Sequence, residues 1–374
     1  MSSSNISRLR YGVIGVGAGI FSSHRPALAL PIVELVAVSD IDAEKGQARA
    51  DELGCAFYQD YRQMLAETQL DVAVILTPPF LHASIACACL EAGCRVLTEK
   101  PMAVQVAEAD EMIATAQRCQ RLLGVIFQQR NRPEVQAARK LLQEGVLGEV
   151  QRVELTAMWT RPMSYFAMAS WRATWAGEGG GVLTNQASHN LDLLCYLLGS
   201  PQRLFAWTRR LLHPIETEDT VQAQMEWASG ALGSLHISTA EADDDERFKI
   251  VGTRGQLEIG RGRLSAQTLA LDIREYARVT QDPYGQLARA PLAVTLAPGK
   301  ADHLPVYRGF HDAIVAGTSN YCPGEQARAG LELANAITYS SRQHREVELP
   351  LDRQAYAELL ANLRRQSRAN QGQG

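Results

Sequence analysis

Along the first third of the chain, short apolar runs alternate with longer amphipathic stretches. YGVIGVG from Tyr11, VELVAVSD ending at Asp40, DVAVILTPP from Asp71, CRVLTEKP from Cys94 and LLGVIFQQR from Leu122 read as buried strands. Between them, segments starting at Asp42, Leu81 and Val106 have helical spacing, and Gly93 marks one helix end. Strands separated by helices of this length need right-handed crossovers and so a parallel sheet. A further helix runs from Pro133 to Gly145. Beyond Gly148 the rhythm changes. Runs from Gln151, Arg203, Thr220, Ala231, Arg247 and Gln256 read as strands, many joined by short turns. One long helix, Val182 to Leu198, interrupts them, and a helix near GEQARAGLELANAI follows. The pattern predicts an α/β domain over 1–130, then an α+β domain with an open mixed or antiparallel sheet over 131–374. The tail from Ser367, SRANQGQG, is expected to be mobile.

A length of 374 residues agrees with two cores. The net charge of −4 argues against nucleic-acid and anionic-membrane partners. No apolar run spans a bilayer, and MSSSNISRLR lacks the apolar core of an export signal, so a cytoplasmic, soluble protein is expected. Its seven cysteines fit reduced, buried thiols. Cys87 and Cys89 lack the second pair a zinc site needs, and no metal is expected.

The turn after the first strand, GVGAGIF, places Gly15 and Gly17 at the first two positions of a dinucleotide fingerprint. Ile20 occupies the third position and Gly19 comes one residue early. Ala18, Gly19 and Ile20 would then open the helix whose free N–H groups receive a pyrophosphate. Asp40 closes the second strand, where a carboxylate accepts from the adenosine ribose hydroxyls and repels a 2′-phosphate. The expected cofactor is NAD rather than NADP, with Ile41 beside it. Asp42 is read as the N-cap of the next helix.

Three later motifs carry a resemblance. TPPFLH runs from Thr77 to His82, Glu99-Lys100-Pro101 follows a strand, and GGGVLTNQASHNLD runs from Gly179 to Asp192. Taken with GTRGQLEI near Gly252, they make nearly the whole chain resemble the glucose–fructose oxidoreductase / inositol dehydrogenase (Gfo/Idh/MocA) family. The resemblance implies a Rossmann domain, a mixed-sheet domain and a homodimer or homotetramer. It also implies that Lys100 is catalytic and that the Lys100–Pro101 peptide is cis. A strand-end lysine can hydrogen-bond the reacting oxygen as alkoxide character develops. Thr77, Pro78, His82 and Glu99 are expected near the cofactor.

Asn185, His189 and Asp192, spaced i, i+4 and i+7, share one face if their segment is helical. His189 could carry the hydroxyl proton. Asp192 could bind substrate, orient His189 or form a supporting salt bridge. Many members of the resembled family have aspartate where this chain has Asn185, so asparagine is expected to hold a substrate hydroxyl instead. The aromatic segment before this helix adds Tyr165 and Arg172 as substrate contacts, with Trp159, Trp171, Trp175 and Arg161 divided between site and core. His24, His303 and His311 read as structural. The expected activity is NAD-dependent oxidation of a hydroxyl on a free sugar or cyclitol. A nucleotide-sugar or glycoside 3-dehydrogenase and a nonredox enzyme using NAD transiently are the alternatives. An apolar outer sheet face is expected to form the subunit contact.

Overall fold

The computed structural model describes residues 7–319 and 321–371. Residues 1–6, on which the lack of an export signal was read, lie outside it. The elements in order are β1 (Leu9–Ile14), α1 (Phe21–Leu28), β2 (Val33–Ser39), α2 (Ala43–Leu53), β3 (Ala56–Tyr58), α3 (Tyr61–Glu67), β4 (Val72–Ile75), α4 (Pro79–Glu91), β5 (Arg95–Thr98), α5 (Val106–Cys119) and β6 (Leu123–Val125). Then come α6 (Pro133–Gln143), β7 (Val150–Met158), α7 (Met163–Phe166), α8 (Ser188–Leu198), β8 (Arg203–Arg209), β9 (Thr220–Glu226), β10 (Leu232–Ser238), β11 (Glu246–Gly252), β12 (Gly255–Gly260) and β13 (Arg263–Leu269). The chain ends with α9 (Ile273–Val279), β14 (Arg289–Leu292), α10 (Leu304–Val315), α11 (Gly324–Gln343), β15 (Val347–Glu348) and α12 (Arg353–Gln371). The segment expected to be a mobile tail begins inside α12, and residues 372–374 lie outside the described ones. No helix among the described residues is long and apolar enough to cross a membrane.

The chain forms two compact units, residues 1–128 with 302–331 and residues 129–301 with 332–374. The first break falls within two residues of the expected boundary at 130. The second corrects it, because 302–331 folds with the first unit. The reason is packing. Val306, Tyr307 and Phe310 of α10 share one buried cluster with Val13, Phe21, Val74 and Leu97, covering one face of the parallel sheet. On the other face Ile75, Ile85, Leu90 and Met112 form a second cluster. A parallel sheet must be covered on both sides, and α10 supplies what the first 130 residues lack.

The first unit's sheet has the order β3-β2-β1-β4-β5-β6, all parallel. The strand order reverses between β1 and β4, and crevices at the carboxyl ends of such strands bind ligands. The second unit's sheet has the order β14-β13-β12-β11-β7-β10-β9-β8-β15 and is mixed, since β7 and β10 run parallel in an otherwise antiparallel set. Strict alternation buries Val153, Leu155, Leu235, Ile237, Phe248 and Ile250 on one face. Gln222, Gln224, Ser234, Lys249 and Glu258 carry polar groups to the other. Phe205, Trp207 and Leu232 add apolar groups to that outer face, with Trp207 and Leu232 exposed.

Arg132 ties α6 to this sheet. Its side chain is buried, donates to Glu134 at 2.7 Å and to the Gly260 carbonyl at 2.8 Å, and pairs with Glu246. Removing one partner of a buried ion network leaves the remaining charges desolvated and unpaired. Arg132→Met is therefore expected to lower the unfolding free energy by about 3–5 kcal/mol. Urea denaturation followed by tryptophan fluorescence checks this, and a loss below about 1 kcal/mol would mean that the network is dispensable.

Candidate functional site

In the first unit the chain turns sharply after β1. Gly15 has φ +94°, and a Cβ there would lie 2.9 Å from the Thr77 nitrogen, so only glycine fits. Gly17 donates its N–H to Asp40 Oδ2 at 2.6 Å, and a Cβ on it would meet that same oxygen at 2.9 Å. The other oxygen, Oδ1, accepts from the Asp42 N–H at 2.9 Å, and Asp42 caps α2 through Lys45. The glycine turn and the acid ending β2 are thus in direct contact. Gly17, Gly19, Ile20 and Ile41 are exposed around them and Ala18 is half-buried. The Thr77 hydroxyl beside Gly15 is buried without a hydrogen-bond partner. A bare backbone turn, a strand-end carboxylate and an unused hydroxyl at the carboxyl ends of β1, β2 and β4 fit a dinucleotide.

Pro78 is the N-cap residue of α4. His82 lies inside that helix, fully buried. Its Nδ1 is 2.8 Å from the Pro101 carbonyl and its Nε2 is 2.7 Å from the Thr77 carbonyl. Burial lowers the pKa of His82, and a neutral ring donates to one of these carbonyls, so His82 is a buried brace between the loops after β4 and β5 rather than an exposed contact for a cofactor. Lys100 is half-buried just past β5, and the Lys100–Pro101 peptide is cis, as expected.

Glu99 also departs from its expected part. It is 6% exposed, and its carboxylate is consumed within the unit. Oε2 accepts from the Lys100 N–H at 3.0 Å, while Oε1 lies 3.0 Å from His24 Nε2 and 3.4 Å from His303 Nε2. His24 Nδ1 in turn faces the Tyr307 hydroxyl at 3.0 Å. One assignment satisfies the set: Tyr307 donates to neutral His24, and both histidines donate to ionised Glu99. Burial alone would raise the Glu99 pKa, but the bonds from His24 and His303 outweigh it and hold the carboxyl far below its ordinary range. Burial holds His24 below its ordinary value, against the pull of Glu99. Among the described residues these three are the one group of histidine, cysteine and carboxylate side chains spaced closely enough for a metal ion. In the assignment above both His24 nitrogens and both Glu99 oxygens are met within the protein.

In the second unit the helix expected from Val182 begins only at Ser188. Glu218 meets the backbone that precedes it. Its buried carboxylate accepts from the N–H groups of Gly181 at 2.8 Å and Leu183 at 3.2 Å, and its carbonyl accepts from Val182 at 3.0 Å. Residues 182–187 form turns, with bonds from the Asn185 N–H to the Gly181 carbonyl and from the Ala187 N–H to the Val182 carbonyl. Asn185 therefore sits in the turn before α8, while His189, half-buried, sits in the helix's first turn. Asp192 is 1% exposed and takes a two-pronged bond from Arg130, Nε to Oδ2 at 2.8 Å and Nη2 to Oδ1 at 2.6 Å. It is the supporting salt bridge of the alternatives, not a substrate contact.

Asn185 belongs to a polar ring with two other expected residues. Arg172 Nη1 donates to the Tyr165 hydroxyl at 3.0 Å, and that hydroxyl donates to Asn185 Oδ1 at 3.3 Å. The Asn185 amide donates to buried Glu178, whose Oε1 lies 3.7 Å from Arg172 Nη1. The Arg172 guanidinium stacks 4.8 Å from the Tyr165 ring centre and 4.9 Å from that of Trp171. Trp175 is core, and Trp159 is half-buried. Sequence reasoning missed Arg130, Glu178 and Glu218 as parts of this region.

Comparison with known proteins agrees with this geometry. Residues 9–127 match the model of an oxidoreductase family with an NAD-binding Rossmann fold, and residues 135–258 match that of the GFO/IDH/MocA C-terminal domain. The trans-1,2-dihydrobenzene-1,2-diol dehydrogenase of Bos taurus is 30% identical over 67% of this chain and 74% of its own. Myo-inositol 2-dehydrogenase of Thermotoga maritima is 23% identical over 91% of this chain and 98% of its own. Among solved structures, the WlbA dehydrogenase of Bordetella pertussis, in complex with NADH and UDP-GlcNAcA, is similar with a TM-score of 0.80 at 28% identity, covering 92% of this chain and 98% of that one.

Two measurements follow from the first unit. Asp40→Ala removes a carboxylate that discriminates against a 2′-phosphate, so NAD affinity should fall about tenfold and NADP affinity rise. Paired titrations with both cofactors check this, and an unmoved ratio would remove Asp40 from the assignment. His24, with its pKa below 6.5, refuses a proton that the unfolded chain accepts. Its contribution is complete above that value and is lost as pH falls below it. Glu99, depressed from 4.5, adds a further loss below that value. Buried His82, whose pKa burial also lowers, contributes to the same step, so wild-type melting temperature should hold above pH 6.5 and fall below it, and His24→Gln should make the upper step smaller in circular-dichroism melts.

Proposed function

The chain belongs to the GFO/IDH/MocA family of NAD-binding oxidoreductases, and from that premise we propose that it oxidises a ring hydroxyl of a free sugar or cyclitol to a carbonyl. One observation carries the substrate class. The Arg172 charge is matched by Glu178 within the same ring of hydrogen bonds that includes Tyr165 and Asn185. Such a balanced group suits neutral hydroxyls better than a diphosphate or a carboxylate, which would leave a negative charge uncompensated. The names of two relatives point the same way, one acting on myo-inositol and the other on a dihydrobenzene-diol. A nucleotide-sugar substrate is the second reading, favoured by the UDP-GlcNAcA complex of the WlbA dehydrogenase.

NAD, when bound, supplies the hydride acceptor. Gly15, Gly17, Ala18 and Thr77 would cradle its phosphates and ribose, and Asp40 would accept from the adenosine ribose. Lys100 Nζ donates to the reacting oxygen and stabilises its developing negative charge. His189 takes the hydroxyl proton in oxidation and returns it in reduction. Tyr165, Arg172 and Asn185 hold the neighbouring hydroxyls and fix which ring carbon reacts.

A screen of inositols, aldoses, glycosides and UDP-sugars, read as NADH absorbance, tests the reading. Turnover of a neutral ring alcohol is expected, and turnover of UDP-sugars alone would transfer the assignment to the second reading. On the best substrate, Lys100→Met should lower kcat about 10²–10⁴-fold while leaving the NADH dissociation constant within about twofold. Unchanged turnover would remove Lys100 from the chemistry.

A further inference from the structure

Glu178 has no part in the proposed chemistry, yet it is 3% exposed and meets two members of the substrate ring, Asn185 and Arg172. Its Oε2 accepts from the Ala173 N–H at 2.6 Å, and Ala173 holds a left-handed backbone with φ 52°. A non-glycine residue keeps that conformation only when its surroundings hold it there. Its Oε1 meets the Asn185 amide and lies 3.7 Å from Arg172.

The chemistry of these partners fixes every orientation. An ionised carboxylate only accepts, so the NH2 end of Asn185 must turn toward Glu178. That leaves the amide oxygen toward Tyr165. Arginine only donates, so the Tyr165 hydroxyl accepts from Arg172 and has its own proton for Asn185 Oδ1. No member can reverse without breaking a charge-assisted bond.

We propose that Glu178 is a positioning residue that locks the Asn185 side chain with its oxygen toward the substrate, making asparagine a fixed hydrogen-bond acceptor. A free asparagine can present either end to a hydroxyl. With Glu178 behind it, Asn185 presents the acceptor alone, as an aspartate would, but without the charge. The negative charge is kept one residue away, where it offsets Arg172. A substrate hydroxyl at this subsite must therefore donate its proton to Asn185. A methyl ether or deoxy carbon at the same position is refused, because Oδ1 is left facing a group that cannot donate. This inference rests on the ring-hydroxyl reading of the site.

Three variants test it: Glu178→Gln, Asn185→Asp and the double variant. Kinetics use the best neutral substrate of the screen and its methyl ether, with NADH binding measured by fluorescence. Glu178→Gln replaces a pure acceptor by an amide, so kcat/KM should fall about 10- to 100-fold, mostly through KM, with discrimination against the ether relaxed. Asn185→Asp sets two carboxylates in contact, and one must take up a proton. Its pH–rate profile should gain an ionisation absent from wild type. The double variant exchanges amide and carboxylate, so it should recover at least about tenfold over the poorer single variant and lose the added ionisation. Unchanged kinetics in Glu178→Gln overturn the proposal. So does a double variant that binds NADH but shows no recovery. If Glu178→Gln does not fold, Asn185→Asp decides alone, and a profile without the added ionisation overturns the proposal. A wild type that turns over no ring alcohol defeats the functional reading instead. The carboxylate pair is then read without activity, because Asn185→Asp melting should fall relative to wild type as pH rises from about 5 to 8, and equal pH dependence overturns the lock.

Discussion

A carboxylate at the end of a central parallel strand cannot be left in an apolar interior without donors. Glu99 occupies that position, and the first unit is arranged to answer it. One histidine comes from α1, another from the residue before α10, and an N–H comes from Lys100. The helix that follows the glycine turn, the lysine after β5 and the late segment 302–331 are thereby held to one point. If the carboxylate lost its partners, Lys100 would lose the backbone bond that sets where its side chain starts. His82, buried between the carbonyls of Thr77 and Pro101, joins the loops after β4 and β5.

The second unit repeats the logic with different acids. Glu218 accepts from three backbone amides in the turns before α8. Asp192 fills the Arg130 guanidinium on the buried side of α8, and Glu178 organises the ring beside Asn185. Each acid is nearly inaccessible to water and is met by N–H donors. Rigid hydrogen-bonded carboxylates of this kind set side-chain positions more sharply than apolar packing, which tolerates small rotations.

The alternation of strands and helices in the first unit was legible because buried parallel strands are short apolar runs. The glycine turn and Asp40 were legible because backbone approach restricts residue type. β3 and α3 were not, being three and seven residues long, too short for a period to show. β13 and β14, mostly half-buried or exposed, carry no period that marks an interior face. Among the site residues, Lys100, Tyr165, Arg172, Asn185 and His189 could be named from motif and composition. Their partners could not. His24 and Glu99 are 75 residues apart and Glu99 and His303 are 204 apart, which no local pattern joins. Glu178 and Asn185 are only seven apart, but they lie in turns, where spacing says nothing about facing. The helix expected from Val182 begins later, at Ser188, and the turns ahead of it are bonded to Glu218, 35 to 37 positions downstream.

The return of residues 302–331 to the first unit also bears on how the protein is made. During synthesis the ribosome releases six strands and five helices of the dinucleotide-binding half early, with one sheet face covered only in part, by α1 and α2. Val13, Phe21 and Leu97 then wait for Tyr307 and Phe310, which emerge only after the whole strand-rich part of the second unit. The half that binds the cofactor is thus the first to be started and among the last to be closed.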